Sequence, residues 1–456
     1  MNIAPPRLIA SLASALLILV GAGIATPLSA RVFDPETFTL GNGMQVVVVP
    51  NHRAPVVQHM VWYKVGAADE GPGESGIAHF LEHLMFKGTK TRGPGEFSAT
   101  IARHGGRENA FTAYDYTGYH QTIAVDRLEM VMEMESDRMT NLVITEKEVE
   151  PERLVVLEER RQRTDNDPAA ILREHVNAVL YLNHPYRRPI IGWEHEIRAL
   201  SLPAIIAFYK RWYGPNNAIL VVAGDITAET LKPLAEKYYG RIPRASLAPR
   251  VRPAEPPQSA ARRVTLKDER VRQPSWSRTY LAPSHTTGAT EHAYPLEVLA
   301  EIIGGGATSR LYRGLVVENA IAVSSGAYYG PDDFGPSTFV VHGSPKPGTS
   351  MGAIEHAVEA ELQRIVKDGV TEDEVARAKK RMVTSAIYAR DSLGGGARTL
   401  GAALAIGRTV DDVESWPERI SAVTPEQVAA AARAVFVEGS SVTALLLPAE
   451  KGGQTQ

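Results

Sequence analysis

The sequence has 456 residues, of which 44% are hydrophobic and 22% are charged, a composition typical of globular proteins. This length exceeds that of a single ordinary domain and predicts two domains of about 200 residues each. With 49 basic and 52 acidic residues, a formal net charge of −3 and no basic patch, the sequence gives no indication of a nucleic-acid partner.

The amino terminus has the pattern of a secretory signal peptide. Residues 1–7 carry one positively charged side chain, and residues 8–25 form an almost unbroken apolar run. We predict a signal peptide over residues 1–30, cleaved after Ala30 or alternatively after Ala25, and an exported, periplasmic protein. If uncleaved, the apolar run would anchor the chain in a membrane. The absence of cysteine excludes disulfides, thiolate metal ligands and a lipidated amino-terminal Cys.

Strands are predicted before the first chemically informative stretch. Residues 38–50 predict two strands joined by a turn at Asn42 and Gly43, and residues 56–65 predict a further strand. A glycine-rich segment, residues 66–76, then leads into a helix. We expect the helix to be held against a sheet, which provides the rigid support that a metal site needs.

The stretch from Gly76 to Thr89 predicts an amphipathic helix with one metal-binding face. At about 100° per residue, His79, Glu82 and His83 share that face, and the opposite face is apolar: Phe80, Leu81, Leu84 and Met85. Two imidazoles one turn apart can bind one zinc ion, and the carboxylate between them can take a proton from water that the metal acidifies. The order His-x-x-Glu-His is that of inverzincin peptidases. The alternative is two structural histidines on an amphipathic helix.

Residues 105–123 predict a hairpin beside this helix. Glycines form a turn, and aromatic residues and Thr alternate along the strands. An exposed strand edge beside a peptidase metal can bind an extended peptide through backbone hydrogen bonds. An ordinary structural hairpin explains the same pattern.

A helix over residues 146–163 is predicted to supply the third zinc ligand. Thr145 and Glu148 have the spacing of a capping box, although Pro151 would also fit the first turn of a helix beginning near Glu150. Because Cys is absent, a zinc ion with two His ligands needs a carboxylate and one open position for water. The residue pattern does not choose among five glutamates on this helix: Glu148, Glu150, Glu152, Glu158 and Glu159.

The second half of the chain repeats the first. Residues 145–149 recur as residues 371–375, and the helix at Pro203 recurs at Pro425 with nearly the same offset. The second-half helix around residues 296–303 lacks the His-x-x-Glu-His motif. We therefore predict a zinc-binding domain, a Pro- and Ala-rich linker, a metal-free homologous domain and a short tail: residues 31–242, 243–262, 263–450 and 451–456.

Together these features resemble the pitrilysin or insulinase family of zinc peptidases. The resemblance rests on the motif at residues 79–83, the Gly-Gly-x-x-Asn-Ala-Phe-Thr stretch at residues 105–112, the acidic helix and the duplicated half. It implies an α+β fold of two homologous domains. Each is a mixed β-sheet packed with helices, and the two domains face each other around a chamber.

The resemblance also implies roles for individual residues. Glu159 is implied as the third zinc ligand, Glu152 as a supporting acidic residue and Glu82 as the general base, with one zinc ion per chain. A further set is implied to pair with the substrate backbone: Asn109, Ala110 and Phe111.

Two positions depart from the family pattern. Active single-chain members carry an Arg and, seven residues later, a Tyr after the Ser-Arg-Leu of the inactive half, and aligning on residues 309–311 places Val316 and Val323 there. We therefore expect the zinc-bearing subunit of a heterodimer, whose homologous partner lacks the zinc motif and supplies the Arg and Tyr. The predicted activity is zinc-dependent cleavage of extended or unfolded peptides. The alternative is a non-catalytic peptide-binding or assembly subunit with a structural zinc.

Overall fold

The computed structural model describes residues 32–389 and 391–449, so the predicted signal peptide and tail lie outside the described residues. This part of the chain forms two β-sheets with helices packed on them, which confirms the predicted α+β class. No helix within the described ranges is both long and apolar enough to cross a membrane.

Six strands form the first sheet: β1 (Glu36–Thr39), β2 (Gln45–Pro50), β3 (Val56–Tyr63), β4 (Arg107–Thr112), β5 (Thr117–Ala124) and β6 (Ala218–Gly224). Their order is β1-β2-β6-β3-β5-β4, so β4 lies at an edge. The β2–β6 pair is parallel and the other pairs are antiparallel. Strands β2 and β6 are continuous apolar runs because both faces of the sheet are covered.

Within residues 32–242 the chain forms eight α-helices: α1 (Ile77–Leu84), α2 (Glu96–Arg103), α3 (Leu128–Asn141), α4 (Glu146–Arg160), α5 (Pro168–Leu180), α6 (Glu194–Ala199), α7 (Leu202–Trp212) and α8 (Ala228–Tyr238). All of them except α5 contribute side chains to the core on one face of the first sheet. The predicted metal helix is shorter than expected. It ends at Leu84 rather than Thr89, because Phe86 and Lys87 donate their N–H groups to the carbonyls of His83 and Leu84 in a tight turn.

Five strands form the second sheet: β7 (Arg262–Asp268), β8 (Ser275–Ala282), β9 (Ala322–Tyr329), β10 (Ser337–Pro345) and β11 (Ser441–Pro448). Their order is β7-β11-β8-β10-β9. The β7–β11 pair is parallel, as is β2–β6, and the other pairs are antiparallel. The second sheet therefore repeats the topology of the first without a counterpart of β1, which confirms the predicted duplication.

In the described part of the second half the chain forms seven α-helices: α9 (Ala293–Gly304), α10 (Met351–Asp368), α11 (Glu372–Ala389), α12 (Gly395–Ala405), α13 (Val410–Glu414), α14 (Trp416–Ala422) and α15 (Pro425–Val435). Helices α9, α10, α11, α14 and α15 pack on one face of the second sheet.

The other face of each sheet is covered by a helix from the opposite half. Helix α12 packs on the first sheet, where Leu400 contacts the core around Trp62. Its Gly401 lies so close to that indole that a Cβ would be 2.2 Å from the ring. Helix α5 packs on the second sheet, where Leu172 belongs to the same core as Val442. Each half therefore completes the core of the other.

The linker is fixed by buried ion pairs. Arg250 Nε lies 3.1 Å from Asp69 Oδ1, and an Arg252 guanidinium nitrogen lies 3.0 Å from Asp115 Oδ1. Asp69 precedes α1, and Asp115 lies in the turn between β4 and β5. The linker thus binds the two segments that lead into and out of the candidate site.

Candidate metal centre

The start of helix α1 is fixed by the loops around it. Gly76 has a left-handed φ of 88°, and a Cβ there would lie 2.6 Å from the carbonyl oxygen of Ile191. The carboxylate of Glu70 accepts hydrogen bonds from the N–H groups of Gly76 and Ala78, each at 3.0 Å. It therefore satisfies donors that the first helical turn leaves free.

Helix α4 begins at the predicted capping box. Thr145 and Glu148 form both of its reciprocal hydrogen bonds, and the helix starts at Glu146. Pro151 lies inside the helix, so the alternative start near Glu150 is wrong. Beyond residue 160 the chain continues as a π-helical turn over Arg161–Asp165.

Two buried arginines hold α4 in place. Arg153 donates to the carbonyl oxygens of Ile197 at 2.6 Å and Leu200 at 2.8 Å. Arg160 forms a two-pronged ion pair with Glu174 on α5, at 2.8 and 2.9 Å. These contacts fix the position of α4 along its axis and its rotation relative to α1. They therefore fix the position of its acidic face.

His79, His83 and Glu159 meet at one point. The Nε2 atoms of His79 and His83 lie 3.5 and 3.2 Å from the same carboxylate oxygen, Glu159 Oε2. One candidate ligand atom from each residue lies within 4.8 Å of the others. In the described part of the chain, no other group of three or more His, Asp or Glu side chains is arranged to hold a metal ion.

A zinc ion fits this arrangement. With ligand bonds of about 2.0–2.1 Å, the ligand atoms of a tetrahedral site lie about 3.3–3.4 Å apart, which matches both measured nitrogen–oxygen distances. Glu159 Oε2 is buried and has no hydrogen-bond partner among the described residues. A cation between this oxygen and the two imidazoles would give it a partner.

Glu152 lies behind His83, on the side away from Glu159. His83 Nδ1 donates to Glu152 Oε1 at 2.8 Å, and Lys87 forms an ion pair with Glu152 Oε2. A hydrogen bond of this kind fixes the tautomer of a metal-binding imidazole and leaves Nε2 free for the metal. The structure thus places Glu152 where a supporting residue would act.

Electrostatics make the two imidazoles unequal. Burial lowers the pKa of His79, and the neighbouring His83 lowers it further. Burial also opposes a charge on His83, but its hydrogen bond to Glu152 and the nearby carboxylate of Glu159 outweigh this and raise its pKa. The close approach of His83 in turn lowers the pKa of Glu159. The site therefore favours a positive charge at His83. A metal ion bound there would displace the His83 proton and supply that charge instead.

Glu82 lies beside this group and is only 9% exposed. Thr112 Oγ1 donates a hydrogen bond to Glu82 Oε2 at 2.5 Å. Burial raises the pKa of Glu82, while the hydrogen bond from Thr112 opposes that rise. A buried carboxylate with a raised pKa is suited to proton transfer near neutral pH.

A cavity of about 1070 Å³ contains this group, and all of its lining residues come from the first half. Asn109, Ala110 and Phe111 line it from β4, the predicted edge strand. The amide N–H of Ala110 is bonded to Asn109 Oδ1 at 2.9 Å. The ring of Phe111 packs against Trp62, 5.1 Å between centroids, and over Gly118. An extended peptide would therefore meet the backbone of β4 more than the Phe111 ring.

Sequence reasoning did not single out three residues that contact the site. Lys87 pairs with Glu152, Arg163 Nη1 lies 2.9 Å from Glu159 Oε1, and Thr112 binds the predicted base. Arg163 follows Glu159 by four positions on a helical turn, a spacing that indicates an ion pair. No local signal pairs Thr112 with Glu82, because they lie on different elements.

The fold is a duplicated structure in which one half carries a candidate metal site. Residues 45–194 match the family model described as insulinase, peptidase family M16, and residues 199–382 match the model described as the peptidase M16 inactive domain. The chain therefore belongs to the insulinase family, peptidase family M16. This confirms the family indicated by the sequence motifs.

Comparison with individual relatives supports the same family. Over 375 residues the chain is 32% identical to the zinc protease PqqE of Helicobacter pylori, covering 81% of this chain and 82% of that protein. A solved protease from Helicobacter pylori has 29% identity and a TM-score of 0.83, covering 91% of this chain and 99% of that one. The periplasmic protease PqqL of Escherichia coli, with 22% identity and a TM-score of 0.78, shares the fold. The match covers 91% of this chain but 47% of PqqL.

Proposed function

We propose that this protein is an exported zinc metalloendopeptidase that hydrolyses peptide bonds in extended or unfolded peptides, with one zinc ion per chain. The observation that carries the proposal is the convergence of His79, His83 and Glu159 on one point, with the buried carboxylate of Glu82 beside them. The name of the Helicobacter pylori relative, a zinc protease, supports the same chemistry.

The residues of the site have three separate roles in this reaction. His79, His83 and Glu159 hold the metal, which when bound supplies Lewis-acid chemistry that polarises the scissile carbonyl and acidifies water. Glu82 accepts a proton from the attacking water and returns it to the leaving nitrogen. The edge of β4 holds the substrate backbone in an extended conformation beside these groups.

Replacing the base tests the proposal. Glu82→Gln should retain zinc and abolish cleavage of an unfolded peptide, whereas Glu150→Gln, an exposed position on α4, should retain both. Zinc is measured by metal analysis and cleavage by mass spectrometry. Full cleavage by Glu82→Gln would remove Glu82 from the mechanism. A wild-type protein that binds zinc and peptide but cleaves nothing with its partner present would favour the non-catalytic binding subunit.

We also propose that the chain acts as the zinc-bearing subunit of a heterodimer. Val316 packs into the core of the second half, and Val323 is exposed on β9, so neither position offers a polar group to a substrate. The first half alone lines the site cavity, and PqqL, whose fold includes this one, is about twice as long. If the purified chain cleaved peptides at full rate and a metal-free homologue added nothing, the heterodimer proposal would be refuted.

We also propose that the protein is exported. This proposal rests on the sequence of residues 1–30, where an apolar run precedes small residues at Ser29 and Ala30. Amino-terminal sequencing of the protein isolated from its source should show a chain beginning at Arg31. A chain that begins at Met1 and remains with the membrane fraction would indicate an uncleaved anchor instead.

A further inference from the structure

One side chain holds the carboxylate of Glu82. Thr112 Oγ1 donates to Glu82 Oε2 at 2.5 Å, and Thr112 is the only hydrogen-bond partner of this carboxylate within residues 32–389 and 391–449. The two oxygens of a free carboxylate are equivalent. The bond from Thr112 makes them unequal, because Oε2 is occupied and Oε1 remains available to another partner.

Thr112 comes from the strand that would bind the substrate. It is the last residue of β4, and side chains alternate along a strand, so Ala110 and Thr112 share one face while Asn109 and Phe111 share the other. Ala110 packs against the same core as α1, and Phe111 packs on the opposite face. The hydroxyl of Thr112 therefore connects the edge strand directly to the metal helix.

We propose that Thr112 is a positioning residue for Glu82. Its hydroxyl holds Oε2, directs Oε1 toward the metal centre, and links the orientation of the base to the strand that pairs with the substrate. The inference rests on the proposed function only in taking Glu82 as the general base. A Val side chain has nearly the same shape but cannot donate a hydrogen bond, so it removes the link without opening a cavity.

The kinetic test compares Thr112→Val, Thr112→Ser and wild type, each loaded with zinc and assayed with its partner subunit present. The Val variant should lose about tenfold to a hundredfold in kcat, the range for one hydrogen bond to a charged group. Its KM and zinc content should stay within about twofold of wild type. The Ser variant, which keeps the hydroxyl, should recover most of kcat. Equal losses in the Val and Ser variants, or a change confined to KM, would show a structural role and overturn the proposal.

A second measurement does not depend on activity. In the metal-free protein, Thr112→Val and Glu82→Ala are combined in a double-mutant cycle followed by urea unfolding. Thr112→Val should lower the unfolding midpoint when Glu82 is present and have little effect when it is absent. Equal shifts in both backgrounds would show that the bond contributes nothing and would overturn the proposal. If the wild type proves inactive with its partner, the proposed function fails, and this cycle still decides the role of Thr112.

Discussion

Replacing Asp333 by Asn is predicted to stabilise the protein at alkaline pH and to have little effect in acid. Asp333 lies in the loop between β9 and β10, and its neighbour Phe334 donates its N–H to Asp115 Oδ2 at 3.1 Å. This contact joins the second half to the β4–β5 turn. Burial raises the pKa of Asp333 to about 7, with a further rise from Asp115, while a hydrogen bond from Ser337 opposes it.

The sign of the effect follows from proton linkage. The folded protein binds the proton of Asp333 more tightly than the unfolded chain, in which the carboxyl titrates near 3.8. The resulting stability is complete below that pH and is lost as the pH rises to about 7. At about 1.4 kcal/mol per pKa unit, the limit is about 4 kcal/mol. Because the Asp333 residue is half-buried rather than fully buried, we expect solvent screening to reduce this to about 2 kcal/mol.

Urea unfolding at several pH values between about 4 and 8 measures this difference. Asn cannot ionise, so Asp333→Asn should unfold like wild type at the acid end and be about 2 kcal/mol more stable at the alkaline end. Comparing the two proteins at each pH removes the titration of groups they share, such as His184, whose pKa burial lowers to about 4. Asp126→Asn, at an exposed position, controls for the loss of one charge. A difference that stays constant across this range would refute a raised pKa for Asp333.

Three further predictions concern the metal and the packing. Chelation should abolish cleavage and added zinc should restore it, and His83→Asn should lower bound zinc in metal analysis while His175→Asn, at an exposed position on α5, does not. Glu152→Ala should weaken zinc binding about tenfold to a hundredfold in chelator competition, because His83 loses the acceptor that fixes its tautomer. Gly401→Ala should lower the free energy of unfolding by about 1–3 kcal/mol, because its Cβ would clash with an indole ring. Gly352→Ala, in α10 with no atom closer than 4.0 Å to the new Cβ, should not. Unchanged zinc binding or equal unfolding midpoints in these pairs would contradict the corresponding assignment.

The sequence alone predicted the features that depend on residues close together in the chain. His79, Glu82 and His83 share a face in the structure because three and four positions bring side chains to the same side of any α-helix. The strands and the capping box of α4 were found for the same reason. The predicted end of α1, Thr89, lies beyond its observed end, Leu84. The tight turn after Leu84 does not change the apolar pattern that predicts the helix.

The third candidate metal ligand could not be chosen from the residues near it in the sequence. Five of the glutamates on α4 were equally suitable by residue type, and only the family resemblance selected Glu159. In the structure, the choice depends on the rotation of α4, which Arg153 and Arg160 fix through contacts with α5, α6 and the residues next to α6. Such contacts join positions far apart in the chain, so no periodicity reveals them. The crossing of α5 and α12 between the halves was missed for the same reason.

That crossing gives the second half a structural role in the candidate metal site. Helix α12 covers one face of the first sheet, and α1 packs on the other face of the same sheet. Without the second half, the face around Trp62, Ile219 and Val221 would be exposed to water, and burial of apolar surface is the main stabilising contribution to folding. The linker arginines also bind Asp69 and Asp115, next to α1 and β4. The second half is therefore needed to hold the candidate metal-binding residues of the first half in place, and we expect residues 31–242 alone not to form the site.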